Sequence, residues 1–333
     1  MNDNTPLLGI GIPTYKRPDQ LLACVQSIIR SAGGRAVPVT IVDDSTDDTN
    51  VGVVAQLRAA YPHIRHERNP ANLGIDRNIL NAVDVCPARY VWLMGEDDRV
   101  TPDAVPMVLA ILENAREELP FVYVNYASVD ETLTVVLKEK SLPLEDAARR
   151  RAEDFLPGEA WSIGFIGACV VNKRLWATAH REPYLDTYFA HVGMILEYLK
   201  GRELVMLAKP VVLNRCGTAR IFTWTHSAFE VMYGWGRMMD ALRPLYGDTL
   251  CNRATVAMDK AHGTGTMLWY GYLRADRAYS LQSYRTYIHP RPHPLLHKAG
   301  AWAIAVTPPW VFQTVRWALT HVRRRVRRNI SGY

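Results

Sequence analysis

The sequence predicts an α/β protein built on a mostly parallel, doubly wound sheet. Two observations carry that expectation. Short apolar runs rich in Val, Ile and Leu alternate with segments of helical period through the first hundred or so residues, the pattern of strands joined by helical crossovers. Three of those runs also end in polar segments, "PTYKR", "DDSTDD" and "GEDD", and open parallel sheets bind their ligands beyond the carboxyl ends of the strands.

The elements follow in order. Leu7 to Ile12 reads as a strand that stops at Pro13, and Leu21, Leu22, Val25, Ile28 and Ile29 then recur as one face of a helix. A strand from Val37 to Val42 ends in acids and precedes a helix over Val51 to Ala60. A short strand Ile64 to Glu67, a helix Ile75 to Val85 and a strand Tyr90 to Met94 continue the alternation. The next helix is expected to start at Thr101, with Thr101 as N-cap, Pro102 in the first helical position and Asp103 as a first-turn acid. The second half predicts a strand Phe121 to Tyr126, a charged helix carrying Leu144 and Ala147 to Ala152, a helix Asp186 to Leu199 and a strand region Leu204 to Leu213. From about Ile221 the pattern turns helical and aromatic. An α/β domain is therefore expected over 1–221 and a helical extension over 222–333.

With 333 residues and 48% hydrophobic content the chain can bury a full core. The five cysteines, Cys24, Cys86, Cys169, Cys216 and Cys251, are widely spaced and include no C-x-x-C pair. That pattern suggests neither a zinc ribbon nor a disulfide framework and fits a reducing cytosol best. The opening "MNDNTPLLGIGIPTYKR" lacks a basic stretch followed by a long apolar one, so a cytoplasmic location is expected. The net charge of +6 is unevenly placed: Arg277 to Tyr333 contains ten Lys and Arg and no acid, while the preceding residues carry 29 basic against 33 acidic side chains. Any anionic partner is met by the tail.

Glu96, Asp97 and Asp98 stand side by side at the end of an apolar strand. One reading is a solvated turn before the next helix; the other is a cation site, since a bound cation best relieves their mutual repulsion and hard divalent cations prefer oxygen ligands.

The ordered set "IGIPTYKRPDQLLACVQSI", "VTIVDDSTDDT", "NLGIDRNILNAV" and "YVWLMGEDDRVTPDAV" resembles the family-two inverting glycosyltransferases of the GT-A fold, over roughly the first two thirds of the chain. "GEDD" and the later "GFIGACVV" look like the branch that includes abequosyltransferases and other O-antigen or exopolysaccharide enzymes. The resemblance implies a Rossmann-like, mostly parallel sheet flanked by helices. It also implies a nucleotide-diphosphate sugar donor bound within 1–103 and an acceptor half over 104–221. By family analogy Pro13, Thr14, Tyr15 and Arg17 hold the nucleoside together with Asp43, while Asn72, Gly74, Arg77 and Asn78 line the same pocket. Asp98 is the first choice as ligand of a Mg²⁺ or Mn²⁺ ion, Asp97 reaches metal or ribose, and Glu96 completes the acidic run. Gly95 stands where many members carry an acid, which implies weaker metal binding.

Inversion requires a base that takes the acceptor proton in a single displacement. The Glu-Asp pair of many relatives is missing, and the corresponding stretch is "EPYLDTYFAHVGMILEYL". His191 falls nearest the expected place, and the unperturbed pKa of histidine suits a base near neutral pH; Asp186 is the alternative. Two other functions stay in view. A sugar-phosphate nucleotidyltransferase would carry a Gly-rich phosphate loop after the first strand, which "PTYKRPD" is not, and a membrane-bound carbohydrate-binding adaptor would bind donor without turnover.

The tail "PPWVFQTVRWALTHVRRRVRRNI" sets an apolar stripe with Trp310, Phe312 and Trp317 against Arg323, Arg324, Arg325, Arg327 and Arg328. This is the profile of an interfacial amphipathic helix over 308–330, too short and too charged to span a bilayer. The expected partners are an anionic inner membrane face and a polyprenyl-diphosphate-linked glycan. Nucleic acid is not expected, because stacking and base-reading motifs are missing.

Overall fold

The computed structural model describes residues 5–145, 148–216, 228–290 and 294–316. Strands and helices alternate from the start: β1 (Leu8–Thr14), α1 (Pro18–Ala32), β2 (Val39–Asp43), α2 (Val51–Ala60), β3 (Ile64–Arg68), α3 (Ile75–Val85) and β4 (Tyr90–Leu93). A two-residue strand β5 (Arg99–Val100) precedes α4 (Ala104–Glu113). The second half runs β6 (Phe121–Val129), β7 (Val136–Lys138), β8 (Ala148–Arg151), the single turn α5 (Ala152–Phe155), β9 (Cys169–Asn172), α6 (Lys173–Trp176), α7 (Ala190–Leu199) and β10 (Glu203–Arg215). Helices α8 (Ala228–His262), α9 (Met267–Ala275), α10 (Leu281–Ser283) and α11 (Leu295–Val306) follow. Two compact units result, Met1–Gly217 with Gly234–Ala257, and Thr218–Tyr233 with Met258–Tyr333. The expected break near residue 221 lies outside the described residues.

The sheet of the first unit has the order β3-β2-β1-β4-β9-β6-β10-β5, with β7 on β6 and β8 on β10. β1 pairs in parallel with both β2 and β4, β2 with β3, and β6 with β10. The strands β2 and β4 are buried at every position, as strands covered on both faces must be, which explains their near-continuous apolar runs. The two parallel halves are joined through β9, which runs antiparallel to both β4 and β6. The observed architecture is the expected α/β sheet flanked by helices, with C-terminal helices.

Three local expectations change. Within the predicted charged helix over Ala147 to Ala152, Ala148–Arg151 is instead the strand β8, laid antiparallel on β10 from Glu203 to Met206; sheet pairing overrides the helical propensity of an Ala- and Arg-rich segment. The helix expected at Thr101 begins at Ala104, because the Thr101 amide donates to the Val211 carbonyl at 2.9 Å and its hydroxyl to the Asp103 carboxylate at 2.6 Å. The helix expected from Asp186 begins at Ala190, since Asp186 and Tyr188 adopt positive φ values of 60° and 66°.

The second unit builds its core from aromatic rings. Phe229 lies 5.0 Å from Trp269, 5.3 Å from Tyr279 and 5.5 Å from Tyr287, measured between ring centroids. Tyr279 is fully buried and its hydroxyl donates to the Ala301 carbonyl at 3.0 Å, so a polar tip is satisfied inside an apolar cluster. No helix among the described residues is long and apolar enough to cross a membrane.

Helix α3 must lie close to β1 for its first turn to reach the sheet edge, and Gly11 permits this. A Cβ there would stand 2.8 Å from the Ala82 carbonyl oxygen. Gly11→Ala should therefore destabilise the first unit by about 1–3 kcal/mol, the usual cost of overpacking. The urea midpoint measures it, and an unchanged midpoint would mean that α3 can step back freely.

Candidate active site

Parallel pairing brings three strand ends to one edge. Thr14 stands in register with Asp43, and the Met94 amide donates to the Gly11 carbonyl at 3.0 Å. The loops after β1, β2 and β4 therefore emerge side by side, as the sequence pattern implied.

Glu96 ties the first of these loops to the third. It accepts a short hydrogen bond from the Thr14 hydroxyl, and another from the Tyr15 amide at 3.0 Å, while the Arg17 guanidinium lies 3.5 Å from its second oxygen. Burial pushes its carboxyl up to about 7, against the lowering effect of Thr14, Tyr15 and Arg17. Arg17 also reaches Asp97 at 3.3 Å. Glu96 thus shapes the exit of β1 through one carboxylate oxygen and faces Arg17 with the other.

Asp98 is different. Its side chain is 3% exposed, and one carboxylate oxygen accepts the Arg215 amide at 3.0 Å. Burial and then the neighbouring Asp97 carboxylate drive its pKa well above the ordinary range. Gly95 makes the arrangement possible, because a Cβ at that position would collide with the Asp98 carboxylate. The glycine that replaces a family acid thus provides the space into which Asp98 folds back. Two crowded carboxylates, one buried and only partly offset by the charges of Arg99 and Arg215, form a donor set that suits a hard divalent cation. Among the described residues no group of three His, Cys, Asp or Glu side chains is arranged to hold a metal. Asp97 and Asp98 would thus supply two ligands, and phosphate or water oxygens the rest, as Mg²⁺ sites commonly require.

The acids after β2 are held by hydrogen bonds within the protein. Asp43 is fully buried and accepts hydrogen bonds from the Ser45 amide at 2.9 Å and the Asn50 amide group at 3.0 Å, with the His66 ring at 3.3 Å. Burial raises its pKa, but the bonds from His66, Ser45 and Asn50 outweigh that and the net shift is downward. Asp44 accepts the Leu73 and Gly74 amides at 2.8 and 3.0 Å and the Asn69 side chain at 2.9 Å. That acid folds the loop carrying Asn72, whose side chain in turn accepts the Gly74 amide at 3.0 Å. Asn78 bonds Asn69 and donates to the Thr14 carbonyl at 3.3 Å, so it too braces the loops. Pro13 is half-buried at the end of β1, whereas Tyr15 is 45% exposed and stands open on the rim.

Arg77 projects from the first turn of α3 and pairs with Asp186 at 2.9 Å. Sequence reading placed these two residues in separate roles; the structure brings them together. His191 does not join them. Its ring is 1% exposed, with Nε2 3.1 Å from the Ile163 carbonyl. Burial lowers its pKa to about 4, only partly offset by the carbonyls of Ile163 and Gly164. The expected base is corrected on physical grounds, since a sealed imidazole cannot meet an acceptor hydroxyl. Sequence reading missed Arg215, whose amide comes from a strand end more than a hundred residues after Asp98 and leaves no local signal.

Of the tail residues, Trp310 is 65% exposed and Phe312 half-buried. Trp317 and Arg323, Arg324, Arg325, Arg327 and Arg328 lie outside the described residues.

Comparison with known proteins agrees with this geometry. Residues 10–166 match the family model described as Glycosyl transferase family 2. That segment, just under half of the chain, is similar to glycosyl transferase family 2 domains. An uncharacterized glycosyltransferase of Escherichia coli K12, YibD, is 30% identical over 104 residues, covering 31% of this chain and 29% of YibD. Chondroitin synthase of Escherichia coli is 26% identical over 141 residues, covering 42% of this chain and 20% of that enzyme. The matched segment spans about a third or less of each of these curated relatives. The crystal structure of Staphylococcus aureus TarS 1–349 superposes with a TM-score of 0.60 at 12% identity, covering 94% of this chain and 92% of that one. The same TarS fragment in complex with UDP-GlcNAc gives a TM-score of 0.58. The α/β sheet with its flanking helices therefore matches the GT-A glycosyltransferase fold.

The buried His191 yields a prediction for the first unit. Between about pH 6.5 and about 4 the unfolded chain protonates this ring while the folded chain does not. The unfolded state binds more protons in that window, so stability falls on acidification, by ~3 kcal/mol at most. His191→Gln should flatten this part of the stability profile, as measured by urea unfolding from pH 4 to pH 7.

Proposed function

We propose that the protein transfers a sugar from a nucleoside-diphosphate donor to a lipid-linked glycan, with inversion at the anomeric carbon. The observation that carries this reading is the buried Asp98 beside Asp97 at the carboxyl end of β4, on the edge where the β1 loop also emerges. The UDP-GlcNAc bound by the TarS fragment supports a nucleotide sugar as donor.

The roles divide by position. Tyr15, Arg17, Asn72 and Asn78 hold or shape the nucleoside side, with Glu96 and Asp43 fixing the loops beneath. Asp98 with Asp97 would hold Mg²⁺ or Mn²⁺, which supplies neutralisation of the charge that grows on the departing diphosphate. Asp186 takes the acceptor proton, and Arg77 orients its carboxylate at 2.9 Å.

A panel of nucleotide sugars and polyprenyl-diphosphate-linked acceptors tests the reaction. Transfer should require divalent cation, stop in excess chelator, and fall by at least ~2 kcal/mol in transition-state stabilisation in Asp98→Asn. Calorimetric titration of Mn²⁺ into the wild type and the variant reads the site without turnover. Full activity in chelator removes the cation from the reading, and nucleotidyl transfer from a sugar phosphate replaces the reaction itself.

The tail fits a membrane acceptor. It holds all the excess positive charge of the chain, and Leu295, Leu296 and Trp310 are 85%, 89% and 65% exposed. Each arginine near an anionic leaflet contributes about 1 kcal/mol. The full chain should sediment with vesicles containing phosphatidylglycerol, stay free of phosphatidylcholine alone, and be released by salt. A chain that ignores both vesicles points to a soluble acceptor.

A further inference from the structure

Asp76 sits one residue before Arg77, in the first turn of α3, and is 5% exposed. By sequence it is an ordinary first-turn acid. In the fold it serves another helix. One carboxylate oxygen accepts the Thr187 amide at 2.9 Å and the Tyr188 amide at 3.0 Å, and the other accepts the Ala190 amide at 3.3 Å. Ala190 opens α7, whose own N-cap residue, Phe189, offers no side-chain cap. The cap is lent by a residue more than a hundred positions away.

The loop that receives this carboxylate is under backbone strain. Asp186 and Tyr188 both have left-handed φ values, 60° and 66°, which non-glycine residues adopt only when their surroundings over-determine them. Asp76 binds two successive amides within that stretch and a third just beyond it. The Thr187 hydroxyl adds a bond to the Tyr184 carbonyl at 2.6 Å and accepts the Phe189 amide at 3.1 Å. Arg237 donates to the Asp186 carbonyl. The result of this turn is that the Asp186 side chain is 71% exposed and meets Arg77. Two consecutive residues of α3 thus hold one loop, Asp76 through its backbone and Arg77 through its carboxylate.

We propose that Asp76 is a positioning residue for the reaction: by fixing the 186–190 backbone it sets where the Asp186 carboxylate stands relative to the donor residues of α3 and the sheet edge. The inference rests on the glycosyltransferase reading with Asp186 as base. Asp76 touches no reacting atom. Its effect passes through Asp186, and displacement of a catalytic group by an ångström is enough to slow a displacement reaction strongly.

Three variants of the full chain test this, Asp76→Ala, Asp76→Asn and Asp186→Asn, each compared with wild type in three measurements. Hydrogen–deuterium exchange over residues 183–195 reads the loop, calorimetry with UDP reads the nucleotide side, and steady-state transfer from UDP-GlcNAc or the donor selected by the panel reads the chemistry. Asp76→Ala should expose the 187–190 amides to exchange, leave UDP affinity unchanged, and lower kcat about 100-fold with little change in donor KM. Asp76→Asn keeps one acceptor oxygen and should lose less; it also carries the comparison if the alanine variant does not fold. Asp186→Asn should lose kcat without loosening the loop. Faster exchange with an unchanged kcat overturns the positioning role, and unchanged exchange overturns the brace itself. A wild type that transfers nothing from any donor overturns the glycosyltransferase reading and the catalytic part of this inference with it, while the exchange comparison still decides whether Asp76 holds the loop.

Discussion

The candidate site depends first on the parallel, in-register pairing of β1 with β2 and β4. Strands that run the same way deliver their carboxyl ends to one edge, and the register sets Thr14 opposite Asp43 and Gly11 opposite Leu93. A slip of one residue would turn every side chain to the opposite face. Gly9 and Gly11 let the packing come close: a Cβ at Gly9 would meet the Cys86 and Ala88 side chains at 2.6 and 2.8 Å. The loops above this edge are then locked to one another by carboxylates, Glu96 onto the β1 exit and Asp44 onto the loop before α3.

Burial treats the acids of this edge in three ways. Asp43 has enough donors to remain ionised below its ordinary range. Glu96 has fewer, and desolvation wins until its carboxyl reaches about 7. Asp98 has one amide donor on its carboxylate and an anionic neighbour, so its charge is the least satisfied of the three. A buried carboxylate left in that state is costly unless a proton or a cation arrives. The same low polarity that raises the Asp98 pKa keeps His191 neutral, because burial disfavours the charged imidazolium.

The acceptor side shows how one helix can serve two halves of a site. Helix α3 packs its apolar face, Ile79, Leu80, Ala82 and Val83, into the core, while its first turn offers Asp76 and Arg77 to the 186–190 loop. The exposed pair of Arg77 with Asp186 is worth little as a stabilising contact, since solvent screens both partners. Its significance is geometric. The buried bonds from Asp76 do the holding, and they do so on a segment whose left-handed residues could not keep their conformation alone.

By itself, the sequence determined the alternation of strands and helices through Val85 and Tyr90, the acidic and polar strand ends, and the segregation of positive charge in the tail. These are legible because periodicity, turn chemistry and charge are local properties. The ordered motifs also pointed to the family, while the surroundings of Glu96, Asp43 and His191 became visible only in the fold. What a side chain touches is set by residues far away in the chain: Thr14 and Tyr15 take Glu96, His66 and Asn50 take Asp43, and Ile163 takes His191. The segment Ala148–Arg151 was read as helix for the same reason, since its partner strand lies more than fifty residues on. Only the tertiary structure decided which acids stay free for chemistry, because desolvation and hydrogen bonding act through space and leave no mark on the spacing of residues along the chain.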